Sequence, residues 1–303
     1  MNNELKFRPD GTFKIVQLTD LHIGDEQAKE REDDDRTVQL VEQILVAEQP
    51  DLVVLTGDLH WSHGVTDPLL SCRKALGPVV RSGIPWAAVF GNHDAEAGVT
   101  REELLAVQQE YAGCLTAVGP AGIHGVGNYT LPVKRSEGSD DSLMLYFFDS
   151  GSYAPERIGG YEWIHQDQIH WYMERSRHYT ELNGSPLPAL AFFHIPLPEY
   201  EFAWTGEQVT GVKGEGVECP RINSGLFSAM VEMEDVMGTF VGHDHDNDYC
   251  GTWHGIRMCY GRSTGYNAYG SLIRGARVIE LYEGKRSFDT WIRQDDGEVI
   301  RCI

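Results

Sequence analysis

Apolar residues gather in five short runs, 15–19, 52–56, 86–90, 189–193 and 239–241, each closed off by polar or glycine positions. Runs this short and uniformly apolar read as buried strands. Segments of helical period separate the first three. Val38, Val41, Ile44 and Leu45 share one face and Pro50 ends the pattern, which predicts a helix over 35–48. Asp33, Asp34 and Asp35 then fall at its start, where the helix dipole favours negative charge; an extra cation held near a site mouth is the rival reading. A second helix opens with Asp67 as cap and Pro68 in its first turn, with Leu69, Cys72, Leu76, Val79 and Val80 on one side. A third opens at Thr100, where Glu103 completes a capping box.

Past Gly119 the rhythm changes. Residues 128–133 and 143–149 read as neighbouring strands across the polar turn 136–141, 166–182 as a long helix, and 256–260, 276–282 and 287–293 as a closing antiparallel set. The Gly- and Glu-rich stretch 200–223 has little strand or helix signal; it reads as a wall over a substrate or as a surface insertion. No linker, repeat or low-complexity tract interrupts the chain. The expectation is one α/β domain over residues 1–303, with two facing sheets flanked by helices.

Every apolar run ends in groups that bind metals. Asp20 and His22 follow the first, Asp58 the second, Asn92 and His93 the third, His194 the fourth, and His243 and His245 the fifth. Open α/β sheets bind ligands beyond the carboxyl ends of their strands, so these groups should converge on one edge. They outnumber what one tetrahedral ion needs, which points to two metals and phosphoryl chemistry. In an extended segment Asp20 and His22 lie on the same side and suit one ion. His243 and His245 repeat that spacing and can serve different ions if the loop turns. Gly57 and Gly91, beside the donors, let backbone come close.

Composition narrows the partners. Hydrophobic residues at 41% and charged residues at 23% are ordinary for a globular protein. The net charge of −21, from 25 basic and 46 acidic residues, repels a polyanion, so no long nucleic acid is expected. The first ten residues lack a signal-like apolar core and no stretch reaches membrane-span length, so no membrane contact and a cytoplasmic location are the expectations. Cys72, Cys114, Cys219, Cys250, Cys259 and Cys302 form no C-x-x-C pair; they read as reduced, mostly buried thiols, with a Cys219–Cys250 bridge as the alternative.

The ordered blocks D-x-H (Asp20, His22), G-D (Asp58), G-N-H-D (Asn92, His93, Asp94), H (His194) and G-H-x-H (His243, His245) resemble those of the calcineurin-like metallophosphoesterase superfamily. The stretches 194–200, 223–227, 242–248 and 260–265 are similar to those of compact purple-acid-phosphatase-like proteins. The resemblance implies a four-layer fold, two mixed sheets between helix layers. It implies one metal held by Asp20, His22, Asp58 and His245, and another by Asp58, Asn92, His194 and His243, with Asp58 bridging. Purple enzymes carry a tyrosine ligand three residues after the bridging aspartate; Trp61 stands there and His22 supplies a nitrogen instead. No iron–tyrosinate colour is therefore expected, and the two divalent or trivalent ions are left as Mn, Fe, Zn or a mixture.

Such a pair acidifies a bridging water, and the hydroxide attacks phosphorus in line. His93, outside the implied ligand set, is the candidate acid for the leaving group. Asp94 or Asp246 would orient a histidine from behind, buried salt-bridge duty being the alternative. His60 and His63 follow Asp58 closely enough to touch substrate, His60 first; His124, His165, His170, His178 and His254 read as surface or core residues. Arg262 reads either as a fork donor to a phosphate oxygen or as a structural ion pair, and Tyr266 and Asn267 line the same wall. The expected activity is a phosphomonoesterase acting on a small phosphorylated substrate or a phosphoprotein. A phosphodiesterase or nucleotide hydrolase is the alternative, followed by a non-catalytic scaffold; a nuclease is opposed by the charge.

Overall fold

A computed structural model of the chain describes residues 4–24, 28–60, 65–96 and 98–302, with backbone alone for 28–30. In chain order the elements are β1 (Leu5–Lys6), β2 (Thr12–Leu18), α1 (Ala28–Glu48), β3 (Leu52–Thr56), α2 (Pro68–Ser82), β4 (Trp86–Val89) and α3 (Arg101–Gln108). There follow β5 (Tyr129–Lys134), β6 (Asp141–Phe147), α4 (Gln166–Asn183), β7 (Ala189–Phe192), α5 (Tyr200–Ala203), β8 (Glu207–Thr210), α6 (Leu226–Met233) and β9 (Val236–Val241). The chain closes with β10 (Cys250–Trp253), β11 (Ile256–Tyr260), β12 (Gly275–Tyr282), β13 (Phe288–Gln294) and β14 (Val299–Cys302).

These strands form two mixed sheets, ordered β14-β13-β12-β2-β3-β4 and β1-β5-β6-β7-β9-β11-β10-β8. Period-two alternation explains why they stack. Phe13 and Ile15 of β2, Leu52 and Val54 of β3, Leu143, Leu145 and Phe147 of β6, and Leu190 and Phe192 of β7 fill the space between the sheets. Their neighbours face outward: Val16, Leu18, Val53 and Leu55 meet Val41 and Ile44 of α1 and Leu76 of α2. Met144, Tyr146 and Ala191 meet Tyr172 of α4 and Met230 of α6. Both faces of each central strand are thus buried, which is why the runs read as continuously apolar. The result is the helix–sheet–sheet–helix sandwich that the sequence pattern implied.

The caps hold as expected: Asp67 accepts from Leu70 N, and Thr100 and Glu103 cap α3 reciprocally. Other expectations need correction. Helix α1 begins earlier, at Ala28, so the acidic run lies inside it. Asp34 is buried there, accepting from Gly24 N at 2.8 Å and Asn267 Nδ2 at 2.6 Å and pairing with Lys74 at 2.6 Å, rather than solvated at a helix start. The closing set splits: β12 and β13 pair antiparallel beside β2, but β11 runs parallel to β9 in the other sheet. The stretch 200–223 is not bare loop, since it holds α5 and edge strand β8. Cys250 is bonded to Cys259, not to Cys219, because antiparallel pairing of β10 and β11 sets their Cα atoms 4.1 Å apart, face to face. Among the described residues no helix is long and apolar enough to cross a membrane.

Phe192 stacks between Phe147 and Phe240, at 5.3 Å from each, in the middle of the inter-sheet core. Phe192→Ala should cost about 3–5 kcal/mol in chemical denaturation; a loss below 1 kcal/mol would mean that the two sheets do not rely on this packing.

Candidate metal centre

Strands β2, β3 and β4 run parallel, as do β7 and β9, so their carboxyl ends share an edge. Asp20, His22, Asp58, Asn92, His194, His243 and His245 meet there, and all seven are buried. They form two groups of convergent donors, Asp20 with His22 and His245, and Asp58 with His194 and His243. In the first, His22 Nε2 lies 3.3 Å from His245 Nε2 and 3.9 Å from Asp20 Oδ1, and His245 Nε2 lies 3.3 Å from the same oxygen. In the second, His194 Nε2 lies 3.2 Å from Asp58 Oδ2, 3.3 Å from His243 Nδ1 and 3.1 Å from Asn92 Oδ1. Asp58 Oδ2 also lies 3.9 Å from His22 Nε2 and so faces both groups.

These separations suit donors about 2 Å from a shared cation. The backs of the rings agree. His194 Nδ1 donates to the carbonyl of Thr56 at 2.7 Å and His245 Nδ1 to that of Tyr269 at 3.2 Å, which turns their Nε2 atoms inward. Asn92 Nδ2 donates to Tyr153 Oη, so its oxygen faces the group. Buried Asp58 Oδ2 has no hydrogen-bond donor, while Oδ1 accepts from His93 N at 2.9 Å. Oxygen and imidazole donors aimed at one another in two buried groups fit a cation well.

The local backbone shows how the chain manages this. Asp20, His22, Asp58 and His243 have φ of 53°, 44°, 51° and 79°, a conformation that side chains other than glycine rarely adopt and that often marks a functional site. Asp20 and His22 therefore share an ion site through a kinked segment, not the extended one expected. The turn at His243 sends it to one group and His245 to the other. Asp94 is the clamp that makes the bend at Asp58: its carboxylate accepts from Asp58 N at 2.9 Å, Leu59 N at 2.8 Å and Gly91 N at 2.7 Å. The glycines let loop meet loop rather than backbone meet ion. A Cβ on Gly57 would fall 2.5 Å from Gly91 N, and one on Gly91 2.6 Å from Asp58 N.

Charges follow from burial and contact. Burial opposes ionisation of Asp20 and Asp58, yet the neighbouring His245 and His194 hold both below the usual carboxylate range. Burial likewise opposes charge on His194, but contact with Asp58 and the field of Asp20 raise it to about 10; Asp20 raises His245 in the same way. Burial lowers His22 and His243 to about 3.

Several residues singled out in the sequence stand elsewhere. His60 is fully buried with Nδ1 3.6 Å from Asp94, which places it behind the clamp. Arg262 is buried, paired with Asp248 and donating to the Ile273 carbonyl, which is the structural ion pair rather than the phosphate grip. Asp246 accepts from Ser271 N and Oγ, and Asp94 holds backbone beside His60, so the contacts of both lie outside the histidines of the two donor groups. Tyr266 stacks under Arg36, while Asn267 supports the centre by donating to the His22 carbonyl at 2.9 Å. Trp61 and His63 lie outside the described residues. His93 is half-buried at the edge of the centre, its ring 5.7 Å from that of His22 and its Nδ1 2.8 Å from Glu96 Oε2. Sequence reasoning missed Glu96, although a carboxylate three residues after His93 was a signal. It also missed the tyrosine wall, Tyr161 edge-on to His243 at 4.3 Å and Tyr269 stacked on His245 at 4.2 Å, for which no local signal exists.

Residues 13–247 match the sequence model of the family described as Calcineurin-like phosphoesterase. The chain belongs to that family. Among calcineurin-like phosphoesterase relatives, it is 35% identical to "Probable inactive purple acid phosphatase 29" of Arabidopsis thaliana, over 97% of this chain and 85% of that protein. It is also 35% identical to "Phosphatase DCR2" of Saccharomyces cerevisiae, over 94% of this chain and 54% of that protein. In fold it is similar to a dimetal phosphatase from Danio rerio, with TM-score 0.64 and 14% identity over 96% of this chain and 98% of that one.

Each group holds one carboxylate and one histidine whose proton a cation must displace, so metal uptake should release about one proton per ion. While its histidine stays protonated, the affinity of each group should then rise about tenfold per pH unit for the proton displaced, read by calorimetry in buffers of different ionisation enthalpy; uptake without proton release would contradict the charge assignment. Gly91→Ala, which presses on Asp58, should weaken metal binding at least about tenfold while the far-ultraviolet circular dichroism stays unchanged; wild-type affinity would show that the loop contact does not place Asp58.

Proposed function

We propose that this protein is a two-metal phosphoester hydrolase, and a phosphomonoesterase in preference to a diesterase, acting on a small phosphorylated substrate or a phosphoprotein. The observation that carries the reading is Asp58 Oδ2, buried and facing both donor groups, 3.2 Å from His194 Nε2 and 3.9 Å from His22 Nε2. A carboxylate oxygen so placed suits a pair of neighbouring cations of the kind that serves phosphoryl transfer. The word phosphatase in the names of the plant and yeast relatives supports the monoester.

Asp20, His22 and His245 would hold one cation and Asn92, His194 and His243 the other, with Asp58 shared. A bound pair supplies a nucleophile from water near neutral pH and offsets charge on the phosphoryl oxygens. The chain's own residues do the rest. Thr56, Tyr269 and Tyr153 fix His194, His245 and Asn92 from behind. The Asp94 clamp fixes Asp58. His93 stands beside His22 with Glu96 bonded to its Nδ1, and its Nε2 would deliver a proton to the departing oxygen.

A second reading has a specific support: the plant relatives are named "probable inactive". On that reading the donor groups bind metal without turnover. The complete donor set argues for catalysis, and the test separates the two. Metal-loaded protein should hydrolyse an aryl phosphate monoester faster than its bis-aryl diester, and Asp58→Asn should abolish both activities. No turnover with Mn, Zn or Fe would favour the silent reading, and a faster diester would reverse the substrate order. His93→Ala should cost about 10²–10⁴-fold in kcat on alkyl phosphates and much less on aryl phosphates, whose leaving group needs no proton; equal losses on both would remove His93 from the role of acid.

A further inference from the structure

We propose that His124, Glu162 and His165 form a separate cation site, suited to a single zinc-like divalent ion, at the root of the turn that carries Tyr153 and Tyr161. None of its donors is shared with the two groups above, so it stands whatever the chemistry at Asp58. His124 Nε2 and His165 Nε2 lie 2.9 and 3.2 Å from the same oxygen, Glu162 Oε1. The imidazoles are stacked with centroids 3.7 Å apart and planes 17° from parallel, so a turn of the exposed His124 ring out of the stack would be needed to bring both Nε2 lone pairs onto one ion. One ligand atom from each residue comes within 4.8 Å of the other two. Two imidazole nitrogens and one carboxylate oxygen at these separations are a familiar zinc donor set, and partial exposure leaves a fourth position for water.

The site is held in place by bonds that do not use those donor atoms. Glu162 Oε2 accepts from Ser152 N at 3.2 Å, which fixes the plane of the carboxylate. Asp167 Oδ2 accepts from His124 N at 2.9 Å and Gln168 Oε1 from His165 N at 2.6 Å, so the first turn of α4 anchors both histidine backbones. Trp163 stacks on the His165 ring at 5.1 Å. Orienting contacts of this kind distinguish a prepared site from a chance surface cluster.

Its position gives it a consequence. Ser152 and Glu162 pair backbones across the turn, as do Ala154 and Gly160, and Tyr153 and Tyr161 stand within it. Ser152 Oγ donates to the Asn92 carbonyl at 3.0 Å, Tyr153 Oη accepts from Asn92 Nδ2, and Tyr161 lies against His243. An ion at Glu162 would therefore pin the wall that positions one of the two donor groups.

The test is zinc titration of tag-free, metal-stripped, full-length protein by calorimetry with elemental analysis. Wild type should bind one zinc more per chain than His124→Gln or Glu162→Gln, and a chain carrying Asp20→Asn and Asp58→Asn should keep one zinc that His124→Gln then removes. His124 is exposed enough that its substitution should leave thermal stability of the metal-free protein unchanged, which separates loss of a site from loss of the fold. Equal zinc stoichiometry in wild type, His124→Gln and Glu162→Gln would overturn the proposal and leave a carboxylate that merely accepts from two imidazoles.

Discussion

Two loop ends pressed together decide where the chemistry of this protein sits. The turn after β3 and the turn after β4 touch backbone to backbone at Gly57 and Gly91, and Asp94 ties them by accepting from both. That contact forces Asp58 into a left-handed conformation and holds its carboxylate where histidines from both sheets can reach it. A side chain on either glycine would part the loops, and the centre would lose its common member.

The same arrangement is electrostatically demanding. Two carboxylates and four imidazoles are buried side by side, and burial alone would neutralise them. Four of the six are held charged in opposed pairs, Asp20 with His245 and Asp58 with His194, while burial keeps His22 and His243 neutral. Breaking such a pair leaves an uncompensated buried charge, so the centre is stable either as ion pairs or with cations in place of the protons. The net charge of the chain is −21, so a phosphate substrate of the kind proposed would be drawn by bound cations rather than by the charge of the protein. Nearby arginines are held inside the fold: Arg262 pairs with Asp248, Arg274 donates to the carbonyls of Ala268 and Tyr269, and Arg101 pairs with Asp149 and donates to the Gly91 carbonyl.

Support radiates outward in layers. Main-chain carbonyls of Thr56 and Tyr269 orient histidines, Tyr153 orients Asn92, and Asn267 holds the His22 backbone while also binding buried Asp34 of α1. The helix layers are thereby joined to the centre as well as to the sheets. The turn from Ser152 to Glu162 connects the wall in the same way to the start of α4.

The sequence by itself determined the framework. Short apolar runs identified β2, β3, β4, β7 and β9, because a strand buried on both faces has no polar alternation to hide it, and the donors following each run identified the residues of the centre. Local chemistry also located the caps at Asp67 and Thr100. Only the tertiary structure decided that Asp94 clamps backbone, that His60 and Arg262 are buried supports, and that Cys259 rather than Cys219 faces Cys250. It also decided that β11 joins the other sheet and that His124 meets Glu162 and His165 from a distant part of the chain. These outcomes depend on strand pairing and on backbone kinks at positive φ, and both arise from contacts between residues far apart in the chain, which no local pattern encodes.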